Sequence, residues 1–227
     1  QKMKQTVSMH WFRKGLRLSD NPGLLASVQR ENVSKFYPVF IMDGDSYQLK
    51  HCTALRANFM VECLKDLDAS LRKGGSRLYV GSGDPVEILP ELWSKWGITH
   101  MTFEEDETGE PYAKKRDEKV LEQAKKCGIE VESFASETIH PLKKYVETAK
   151  GSVPATMGGF QTLFSKMGKV PKPVDAPDKF PTSDGLKSKH MQVPKKPTDL
   201  PWPRNIPKKD VTPLWGVKDC KNLKPIV

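Results

Sequence analysis

The chain has 227 residues, 37% of them hydrophobic and 29% charged, with a formal net charge of +9. That length admits one α/β domain plus a substantial extension, and no apolar run reaches the roughly 20 residues of a membrane span. Four scattered cysteines without a CxxC pair point to a reducing compartment rather than a disulfide framework, and none of the five histidines has a partner at metal-ligand spacing.

Residues 6–12 (TVSMHWF) form a short β-prone run. Asp20-Asn21-Pro22 then offers a cap and a first-turn proline for a helix reaching about Gln29. Residues 35–41 (KFYPVFI) predict a second strand, with Pro38 suggesting an edge position or an irregular ladder. The longest helix is expected over 53–73, where Leu55, Phe59, Cys63, Leu67 and Leu71 recur every fourth residue and Gly74-Gly75 stops it. A third strand at 77–81 leads through Ser82-Gly83-Asp84-Pro85 into a helix ending at Gly97. A fourth strand at 99–104, a charged helix over 110–127 and a fifth strand at 129–134 complete the series. Five strands alternating with helices imply parallel pairing through right-handed crossovers. The expected fold is α/β, a doubly wound five-stranded parallel sheet.

Beyond residue 137 the texture changes. Thirteen of the 18 prolines lie there, each removing a donor and disfavouring helix in the residue before it. A short helix is expected at 158–167, with the remainder extended, docked or disordered. Leu163 and Phe164 are the expected apolar anchors before Trp202 and Trp215. The charge divides at the same place: residues 1–138 carry 20 Lys and Arg against 21 Asp and Glu, and residues 139–227 carry 17 against 7. The expected division is therefore a domain at 1–137 and a linker with a basic, Pro-rich tail at 138–227. The tail, with Lys195-Lys196 and Lys208-Lys209, suits either weak nucleic-acid attraction and nuclear targeting or a solvated, unstructured segment.

Three motifs could carry chemistry. The string 11–22 (WFRKGLRLSDNP) leaves the first strand at its carboxyl end, where open α/β sheets bind ligands. Arg13 and Arg17 there could hold an anion, or tie the loop to Asp20, Asp43 or Asp45. The loop 81–85 (GSGDP) lacks both the G-x-G-x-x-G spacing and the Lys-Ser/Thr of a phosphate loop, so it reads as a turn and helix cap. At 104–107 four carboxylates cluster without a nucleophile or metal ligand beside them, and carboxylates also serve helix N-termini. No catalytic residue is expected.

The strings 11–22, 56–85, 110–117 (EPYAKKRD) and 158–170 (GGFQTLFSKMGKV) resemble photolyases and cryptochromes, in wording closest to animal cryptochromes and (6-4) photolyases. The likeness spans about residues 6–177. It implies an N-terminal α/β domain whose crevice takes a folate or deazaflavin antenna, or docks clock or signalling proteins. Its walls would be Arg13, Lys14, Gly15, Leu16, Arg56, Phe59, Glu104, Asp106, Tyr112 and Arg116. The family's FAD site lies in a helical domain whose motifs do not occur in this chain, so FAD is not expected to bind here in the family's manner. Two features depart from the pattern: Asp106 and Glu110 stand two residues further apart than is common in the family, and Ala57 stands where vertebrate-type cryptochromes have a large aromatic. Read this way, the chain comes from a blue-light photoreceptor or circadian regulator, nuclear or cytoplasmic, with a light-driven DNA-repair photolyase as the alternative parent.

Overall fold

The structure, a computed structural model, describes residues 5–43, 54–107 and 109–183. Its elements are β1 (Thr6–Phe12), α1 (Pro22–Gln29), β2 (Val33–Met42), α2 (Ala54–Lys73), β3 (Tyr79–Ser82), α3 (Pro85–Trp96), β4 (His100–Glu104), α4 (Pro111–Lys126), β5 (Glu130–Phe134), α5 (Leu142–Thr148) and α6 (Met157–Ser165). The five strands are all parallel, in the order β3-β2-β1-β4-β5. The expected doubly wound α/β sheet is the observed one. The order reverses between β1 and β4, so their carboxyl ends flank the switch point where such sheets open a crevice.

Helices on both faces make the strands apolar on both faces. Met9, Trp11, Tyr37, Val39 and Ile41 pack with Leu89, Trp93 and Trp96 of α3. Phe12, Phe36, Phe40 and Met42 pack with Leu24 of α1 and with Val61, Leu64, Leu67 and Leu71 of α2. Neighbouring strand residues thus enter opposite cores, as a period of two demands. The caps act as read from the sequence: the Asn21 side chain accepts from Leu24 N and the Asp84 side chain from Val86 N, which makes 81–85 a turn and cap.

Three local expectations differ. Pro38 lies in β2, an interior strand rather than an edge. The β2–β3 ladder begins only at Val39 opposite Tyr79, so on that side Pro38 has no ladder donor to lose. The third strand starts at Tyr79 rather than residue 77, because the amide of buried Leu78 is taken by Asp68 Oδ1 of α2 at 2.8 Å. Helix α5 falls where extended chain was expected. It buries no residue and has no side-chain cap of its own, so neither periodicity nor a local cap announces it. Its cap comes from far away: Glu107 accepts from Leu142 N at 2.6 Å and from Thr138 Oγ1 at 2.9 Å.

After α6 (met at 157–165 rather than 158–167) the chain remains attached to the domain. Asp20 N donates to Val174 O at 2.7 Å and Phe180 N to Gly74 O at 2.8 Å. The Phe180 ring is 6% exposed and stacks on Phe36 at 5.7 Å. Gly74, read only as a helix stop, is also needed for close approach, since a Cβ there would lie 2.5 Å from that ring. Met167 and Phe180 therefore join Leu163 as buried anchors. Asp45, Trp202, Trp215 and the basic tail from residue 184, all named above, lie outside the described residues, as does the side chain of Ala57.

Candidate functional site

The loop 13–17 leaves β1 beside the carboxyl ends of β4 and β5, and its peptide chain approaches β4 closely. Glu104, the last residue of β4, is 2% exposed. Its carboxylate accepts from Gly15 N at 3.1 Å and Ser136 Oγ at 2.6 Å, and lies 3.3 Å from the Arg17 guanidinium. A buried carboxylate is tolerated only with such a full set of partners. Gly15 is fixed by the same contact, because a Cβ on it would stand 2.0 Å from Glu104 Oε2. Gly15→Ala must push the buried carboxylate off its donors and should cost about 2 kcal/mol of stability. Urea unfolding of the variant checks this, and a midpoint equal to the parent's would contradict it.

The neighbouring cations are paired as well. Arg13 Nη1 meets Asp117 at 2.7 Å and Lys14 Nζ meets Asp106 at 3.0 Å. Arg116 contacts Asp117 at 2.8 Å and Asp43 at 3.5 Å. The Tyr112 hydroxyl donates to Asp43 at 3.0 Å. Arg13 and Arg116 also lie over the Trp11 ring, at 5.1 and 5.3 Å from its centroid, a placement that favours a cation on an aromatic face. Arg13 and Arg17 thus tie the loop down, through Asp117 and Glu104. Arg17 reaches Glu104 and the backbone carbonyls of Asp20 and Ser136, while Asp43 goes to Arg116 and Tyr112. All four carboxylates at 104–107 have structural partners, Glu105 taking Ser133 Oγ at 2.6 Å.

Of the residues named from the sequence, Arg13, Lys14, Gly15, Glu104, Asp106, Tyr112 and Arg116 come together in this network at the carboxyl edge of the sheet. Leu16 turns away and packs against the core beneath α1 and α2. Arg56 and Phe59 lie in the first two turns of α2, at the same edge of the sheet, and Phe59 is 66% exposed. Sequence reasoning did not place Asp117, Ser136 or Glu137 in the site. Asp117 ends the EPYAKKRD string and could have been read as a partner for the arginines. Ser136 and Glu137 come from the loop after β5, which carries no motif. Partial burial holds the Glu137 carboxyl above its usual range; Asp106 and Glu104 push the same way and Lys14 opposes them.

These features define an α/β domain with a network of paired charges at the carboxyl edge of its sheet, beside the switch point. The sequence model of the DNA photolyase family matches residues 8–178. The chain is 40% identical over 168 residues to cryptochrome-1 of Rattus norvegicus, covering 74% of this chain and 28% of that protein. It is 37% identical to cryptochrome-2 of Gallus gallus over 169 residues, covering 74% and 28%. Among solved structures, a class III photolyase of Agrobacterium tumefaciens superposes with TM-score 0.71 at 26% identity, over 85% of this chain and 38% of that one. An archaeal photolyase of Sulfolobus tokodaii, described with two FAD molecules and a novel light-harvesting cofactor, gives TM-score 0.65 at 26% identity, over 83% and 40%. The chain belongs to the photolyase/cryptochrome family, as its N-terminal α/β domain. It spans a little over a quarter of the length of these curated relatives. No helix among the described residues is long and apolar enough to cross a membrane.

Proposed function

We propose that this is the N-terminal domain of a cryptochrome-type protein and that its carboxyl-edge crevice docks a partner protein. The observation that carries the reading is the pairing of the floor: Arg13, Lys14, Arg17 and Arg116 each have an acidic partner within the chain. Folate and phosphorylated deazaflavin antennae carry anionic groups, and binding them would require breaking these pairs at the cost of leaving an acid unpaired. An interface built from aromatic and neutral polar groups meets no such cost, and exposed Phe59 offers it an anchor at the rim. The likeness to animal cryptochromes at about 40% identity is what the cryptochrome reading leans on.

The absorption spectrum of the purified chain tests this. The expected spectrum has no chromophore band. A stoichiometric near-ultraviolet folate band or a blue flavin or deazaflavin band would establish the antenna role instead. Light-driven repair of ultraviolet-damaged DNA by the protein that contains this domain would move it to the photolyases.

A further inference from the structure

The crevice accounts for little of the molecule's exposed apolar surface. Of the ten exposed large apolar side chains among the described residues, seven lie between positions 139 and 170. Leu142, Tyr145 and Val146 share one face of α5 by their spacing, and Met157, Phe160 and Phe164 share one face of α6. The two faces meet where Tyr145 stacks on Phe160 at 5.5 Å. On either side of that contact they stay open, with Met157 72% exposed. Behind the seam, buried His140 touches the Tyr145 and Phe164 rings, and its Nε2 has no hydrogen-bond partner.

The charge around this seam is predominantly positive, although Glu107 caps α5 and Glu147 lies 4.0 Å from Lys143. Residues 139–170 carry five lysines and one acid, Glu147. The lysines 143, 144, 150, 166 and 169 are all exposed, and Lys144 Nζ donates to Met167 O at 2.8 Å, which brings the first turn of α5 beside the residues that follow α6. Contiguous exposed apolar side chains rimmed by cations have the composition of an interaction surface.

We propose that the α5–α6 seam docks an acidic amphipathic helix of a partner protein. Charge selects the occupant. The chain's own residues 184–227 hold ten Lys and Arg against four Asp, the same sign as the rim. A second copy related by a two-fold axis would set the same basic patch against itself. A helix with apolar side chains every third and fourth position fills the seam, and acids on its flanks meet the lysines.

The test is panning of a random peptide library against the immobilised full chain, followed by anisotropy with an enriched peptide. Enrichment of peptides with apolar residues at i and i+4 and acids between them is the expected result. Met157→Glu and Lys143→Glu should each weaken binding about tenfold, and added salt should weaken it further. Lys125→Glu on the last turn of α4 should change it less than about twofold. Because Met157 and Lys143 are exposed, these variants should keep the parent's circular dichroism. Enrichment of basic or uncharged peptides, absence of enrichment, or indifference to Met157→Glu would overturn the proposal. So would tighter binding, with the same variant sensitivity, to phosphatidylserine vesicles or a single-stranded oligonucleotide, or dimerisation of the chain through this face.

Discussion

Phe180→Ala should lower stability by about 3–4 kcal/mol, although the residue lies in a proline-rich stretch outside every regular element. The ring is 6% exposed, stacks on Phe36, and belongs to the same buried cluster as Leu64, Leu67 and Leu71. Truncation leaves a cavity over the end of α2 as well as losing the burial. The strap that carries it is held at both ends, by Asp20 to Val174 and by Tyr79 Oη to Ser183 Oγ at 2.6 Å. The cavity should therefore persist instead of collapsing. Gly74→Ala should also destabilise, because its Cβ would displace the same ring. The two losses should add to less than their sum, since both remove one packing arrangement. Urea unfolding of the two single variants and the double variant measures this. A Phe180→Ala midpoint at the parent's value would show that residues 171–183 contribute nothing to the domain.

The second large effect is a loss of stability in mild acid. His10 is wholly buried, and burial pushes its imidazole from 6.5 down to about 3. The hydrogen bonds show why the neutral ring is held. Asn21 Oδ1 accepts from Leu24 N at 2.9 Å, so Asn21 Nδ2 is the group facing His10 Nε2 at 3.3 Å, as donor. Nε2 therefore accepts, and Nδ1–H donates to Thr102 Oγ1 at 2.7 Å. Thr102 passes its own hydrogen to Gly23 O at 2.8 Å. A proton on Nε2 would set two donors against each other in a fully buried site.

The unfolded chain takes up that proton below its ordinary pKa of 6.5, and the native state does not until about 3. The contribution is complete above pH 6.5 and is lost as pH falls towards 3, at up to about 1.4 kcal/mol per unit. His100, lowered mainly by burial, acts in the same direction, while the raised carboxyl of Glu137 acts weakly against it. Urea unfolding between pH 7 and pH 4.5 should show the decline, and His10→Gln should flatten it. A parent whose stability is level across that window would refute the account of this buried network.

Much of the fold was legible because its signals are local. Asn21 and Asp84 are caps two or three residues from the amides they take, and alternation in β1 and β2 sorts side chains into two cores. What was not legible depends on partners far along the chain. Helix α5 is capped by Glu107, 35 residues earlier, and Phe180 finds its pocket over Gly74. Pro38 misled for the same reason, since its tolerance inside the sheet rests on where β3 begins. At the site, the motifs brought the right loops together, but which acid pairs with which cation was fixed only by the switch-point geometry. Asp117 and Ser136 complete the floor from a helix and a loop that no spacing rule connects to β1.

The account rests on the crevice cations being committed to the chain's own acids, and the melting temperature under rising pyrophosphate tests that most directly. With ionic strength matched by sodium chloride, the account predicts no saturable shift, and the same flat response in Lys14→Gln. A saturable rise in the parent that Lys14→Gln abolishes would show that the floor is an anion site, and would contradict it.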